Sequence, residues 1–102
     1  RVTKAGEATN FEATPAACDL AVEACAEVFG RDHVTSLETA GGSEDCSILA
    51  RRAIEHGAEA TFLFYGCNHH GHHRADFEIQ DTQSLPAALA VLSGICRRTN
   101  GL

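Results

Sequence analysis

The chain has 102 residues, 44% of them hydrophobic, with 8 Lys and Arg against 14 Asp and Glu for a formal charge of −6. That length confines it to one domain or a piece of one, with room for a single modest core. The near-average composition excludes disordered, collagenous and coiled-coil chains, and the acid excess excludes nucleic acid and anionic membranes as expected partners. No apolar run approaches the ~20 residues of a membrane-spanning helix, and the first residues lack the pattern of a signal peptide. Five cysteines make an odd set without a CxxC pair, which fits a reducing cytoplasm better than a secreted disulfide scaffold. The chain opens at Arg1-Val2-Thr3 and contains no methionine, so it is expected to be the tail of a longer protein.

Residues 1–12 alternate weakly and read as a strand and connector. Thr14-Pro15 then marks a helix start, a hydroxyl cap with proline just inside. Ala17, Leu20, Ala21, Ala24, Cys25 and Val28 follow at helical spacing, and Gly30 stands where a terminating glycine belongs. Residues 33–38 form a short candidate strand. A second helix is expected behind Ser43, with Glu44 and Asp45 in its first turn and an apolar stripe of Ile48, Leu49, Ala53 and Ile54. The run Ala60-Thr61-Phe62-Leu63-Phe64-Tyr65 is apolar on both faces, the signature of a strand in a covered parallel sheet. Phe77-Glu78-Ile79 is a further brief strand candidate. A last helix, capped at Asp81 or Ser84, carries Leu85, Ala88, Leu89, Leu92, Ile95 and Cys96 as its stripe. Alternation of this kind predicts an α/β fold, a partial parallel sheet with helices packed on it. Right-handed crossovers would then bring the loops at residues 39–45 and 66–76 to one carboxyl edge, where open sheets bind ligands.

Chemistry concentrates in the second of those loops, Cys67-Asn68-His69-His70-Gly71-His72-His73-Arg74-Ala75-Asp76, which holds four of the six histidines. Neutral imidazole is the commonest transition-metal ligand, although adjacent rings diverge and only one or two can share an ion. The competing reading is a solvated polar loop. In the first loop, Gly41-Gly42-Ser43-Glu44-Asp45 either sets a carboxylate near a ligand or is a plain helix cap, and its glycines do not match a phosphate-binding fingerprint. Cys18, Cys25 and Cys96 read as small buried hydrophobes, and Cys46 as a thiol in a helix's first turn.

Taken together, the two loops are distinctive. Gly42-Ser43-Glu44-Asp45, the buried run at 60–66, Gly71-His72-His73-Arg74-Ala75-Asp76-Phe77-Glu78-Ile79 and Leu85-Pro86 resemble the C-terminal end of the metal-dependent amidohydrolases. These are dinuclear metallopeptidases of the aminoacylase and carboxypeptidase type, and the likeness is closest to the A-type members of the aminobenzoyl-glutamate utilization group. It spans roughly residues 6–98, and its specific elements are Ser-Glu-Asp and His-x-x-x-Phe. It implies that residues 13–102 are the C-terminal portion of a catalytic domain and that residues 1–12 return from an absent lid domain. It further implies His73 as a metal ligand, with His72 the competitor, and Glu44 and Asp45 at the active-site rim. Two divalent ions, zinc or manganese, would serve the complete site and activate a water against an amide substrate. The ligand's other ring nitrogen would need an acceptor, a backbone carbonyl or Asp76. The remaining ligands and the general base would come from the missing N-terminal part, in a homodimeric or hetero-oligomeric parent. This sequence departs from the pattern at Gln80, Cys46 and the additional His69-His70. The rival class is a small stand-alone metal-binding module built on the histidine cluster; a non-catalytic interaction domain is the third.

Overall fold

The computed structural model describes residue 3 and residues 9–36, 45–64, 66, 74–79 and 82–100. Thr14, in extended geometry at φ −80° and ψ 140°, leads into helix α1 (Pro15–Phe29) with proline at the first helical position, where a missing N–H costs nothing. Its hydroxyl does not cap the helix. It is spent on the chain 46 residues later: the Ala60 N–H donates to Thr14 Oγ1 at 3.0 Å, and the Thr14 N–H donates to the Ala60 carbonyl at 2.9 Å. Cys18 Sγ lies 3.4 Å from Thr61 Oγ1 on the same side. The segment 58–64 is thereby fastened along the first turns of α1.

α1 ends at Gly30, whose N–H donates to the Ala26 carbonyl at 2.9 Å. Its φ of 83° with ψ of 146° is a conformation that side chains other than glycine's resist. A single 3-10 turn, Arg31–His33, follows. Helix α2 (Cys46–Glu55) makes two polar contacts to Thr9. The buried Ser47 hydroxyl donates to the Thr9 carbonyl at 2.8 Å, and Arg51 Nη1 donates to Thr9 Oγ1 at 2.6 Å. It stops at His56 and Gly57, the latter at φ 80°.

Helix α3 (Ser84–Asn100) accepts its first turn's bond on Gln83, whose carbonyl takes the Ala87 N–H at 3.0 Å, so Pro86 falls among the positions that need no donor. α3 packs on α1, and this pair makes the core. Ala24 and Cys25 of α1 meet Val91 of α3, with Val34, Leu63 and Ile95 around them. At Gly94 the tight neighbour is Arg98: a Cβ there would sit 3.1 Å from Arg98 Nη1, and at an ordinary contact distance of 3.7 Å from Ala24 Cβ. Arg98 completes the seam by donating to the Gly94 carbonyl at 3.1 Å and to the Glu27 carboxylate.

This architecture overturns the expected α/β fold. Among the described residues the regular elements are helical, with no strand and no sheet. The segments at 34–36, 60–64 and 77–79 lack ladder pairing there, and a strand exists only through hydrogen bonds to a neighbour. In segment 60–64 the Phe62 and Phe64 rings meet at 4.6 Å between centroids, tilted by 55° to one another. The backbone partner of the segment is Thr14 rather than a second strand. The expected stripe of α3 is corrected as well. Val91 is 1% exposed and Gly94 is buried, whereas Leu85, Leu89, Leu92 and Cys96 lie on exposed surface. Ile48 and Leu49 of α2 are likewise exposed, Leu49 at 73%.

Truncating Val91 to alanine should therefore lower stability by about 2 kcal/mol, because the side chain is fully buried in a core with little else to fill the gap. Gly94→Leu should destabilise by roughly 1–3 kcal/mol through overpacking against Ala24. Leu49→Gln, on exposed surface, should stay within about 0.5 kcal/mol. Urea unfolding followed by circular dichroism reads all three.

Candidate functional site

Of the residues singled out from sequence, Glu44, His72 and His73 lie outside the described residues, as do Cys67, His69 and His70. Asp45 is described. It stands exposed one position ahead of α2, at φ −60° and ψ −35°, rather than inside the first turn. Its carbonyl accepts the Ile48 N–H at 3.3 Å, while its side chain makes no capping bond to the helix. The carboxylate is thus left facing solvent at the start of α2.

The segment that follows His73 is built around one ion pair. Arg74 Nε donates to Asp76 Oδ1 and Arg74 Nη2 to Asp76 Oδ2, both at 2.8 Å, a two-pronged match of guanidinium to carboxylate. The Phe77 N–H donates back to the Arg74 carbonyl at 3.2 Å and closes a turn. The guanidinium holds the Asp76 carboxyl below its ordinary range, and the carboxylate raises Arg74 in return. Asp76 was one of two acceptors expected for a histidine ring nitrogen. Each of its oxygens already takes a guanidinium N–H, so a histidine would have to share it with Arg74.

Among the described residues no three His, Cys, Asp or Glu side chains are grouped so as to hold a metal ion. The described residues do not by themselves form the donor set of a two-metal centre, and no chemical step is assigned to one. The thiols separate by position. Cys25 is buried in the α1–α3 core, where burial pushes its pKa up and leaves it unreactive. Cys18 is half-buried against Thr61, and Cys46 and Cys96 are exposed free thiols, which corrects the expectation that Cys96 is buried. A shallow groove runs between the end of α1 and α3, walled by Val28, Pro86, Leu89 and Ala90 with Glu27, Ser93 and Arg97 at its polar margin. Glu27 is engaged by Arg98, and among the described residues no histidine borders the groove to serve Ser93 as a base.

Two polar clamps carry no sequence signal: Thr9 on Ser47 and Arg51, and Thr14 on Ala60. Both join residues about forty apart, a separation at which a single sequence offers no local pattern.

Comparison with known proteins gives a partial likeness. No protein-family model matches the chain, and no solved structure matches it. A p-aminobenzoyl-glutamate hydrolase homolog of Haemophilus influenzae, of the A-subunit type, is 38% identical to it over 55 residues. That stretch is 53% of this chain and 13% of the length of the relative.

The ion pairs make the site region and the core sensitive to acid. Arg98 holds the Glu27 carboxyl below its ordinary value, as Arg74 does for Asp76. A depressed folded-state pKa contributes stability above the unfolded value and loses it as pH falls through the folded one. The urea midpoint should therefore drop between about pH 5 and about pH 2, and Glu27→Gln should flatten part of that drop. In a carboxyl NMR titration, Arg74→Ala should return Asp76 to the ordinary aspartate range.

Proposed function

We propose that this chain is part of a metal-dependent amidohydrolase that cleaves an acyl-amino-acid amide of the aminobenzoyl-glutamate kind. The observation that carries this reading is the 55-residue likeness to a protein named for p-aminobenzoyl-glutamate hydrolase. The Ser43-Glu44-Asp45 and His73-x-x-x-Phe77 elements are in keeping with it. A stand-alone metal module would leave that likeness without a cause.

In this reading His73 supplies one imidazole to a divalent ion, zinc or manganese, with His72 as the competing ligand, and Glu44 and Asp45 border the opening. Arg74 takes no part in binding the ion. Paired with Asp76, it stiffens the turn that follows the histidines in sequence. One imidazole cannot hold two ions, so the remaining ligands belong to the rest of a longer polypeptide working in the cytoplasm as a homodimer or hetero-oligomer. No helix among the described residues is long and apolar enough to cross a membrane.

The isolated chain should not hydrolyse aminobenzoyl-glutamate, and turnover by the purified 102-residue chain would overturn this reading. In the complete enzyme, His73→Ala should cost more than the roughly 10–100-fold that loss of an outer-shell partner costs. Metal content measured on the same protein should fall with it. His72→Ala, assayed in parallel, decides between the two candidate ligands.

A further inference from the structure

We draw no further inference here: the strongest candidate, the shallow groove between the end of α1 and α3 that Val28, Pro86, Leu89 and Ala90 wall with Ser93 and Arg97 at its margin, is an open apolar face, and nothing in the structure shows what covers it.

Discussion

The structure depends on how closely α1 and α3 approach each other at Ala24 and Gly94. Glycine inside a helix costs roughly 1 kcal/mol relative to alanine, and a protein retains it only where the lost side chain permits something worth more. Here it leaves room for the Arg98 guanidinium to lie against the helix and reach the Gly94 carbonyl, beside the seat of Val91 on Ala24 and Cys25. The same guanidinium reaches the Glu27 carboxylate, so one side chain ties the end of α1 to the last turns of α3. A side chain larger than alanine at Gly94 would press on Ala24 and displace the Arg98 guanidinium.

The rest of the molecule is attached to that pair by single polar clamps. Segment 58–64 is fastened at Thr14 and packs Leu63 against the core, whereas the described contacts of α2 are the hydrogen bonds of Ser47 and Arg51 to Thr9. Polar clamps of this kind contribute about 1 kcal/mol per bond, far below what a packed apolar face supplies. Stability is therefore uneven, greatest at α1–α3 and least in α2. Asp45, the described one of the proposed site residues, opens α2, and the Arg74–Asp76 pair stands in an exposed turn.

How much of this could be read from the letters follows from where the determining forces lie. Pro15 after Thr14 and the glycine at position 30 are local signals, and they place α1 within a residue of its ends; His56-Gly57 does the same for the end of α2. Strands are a different matter. Residues 60–64 have strand composition, but a ladder needs a second chain segment alongside, and among the described residues it is Thr14 that takes up the Ala60 hydrogen bonds. Periodicity also failed on α3 for a physical reason: that helix is apolar on two sides, and nothing in a 3.6-residue repeat says that Val91 and Gly94 face α1 while the leucines do not. The likeness to a hydrolase was legible because short motifs survive as letters. The Arg74–Asp76 pairing was not, because Asp76 offers the same carboxylate to an arginine as to a histidine.

Amide hydrogen exchange on the isolated chain tests the central claim most directly, because it resolves stability element by element. The slowest exchange should fall in α1 and α3 around Ala24 and Val91, with α2 opening far more readily. Protection in α2 equal to or above that of the α1–α3 pair would show that the fold is anchored elsewhere, and would contradict the account.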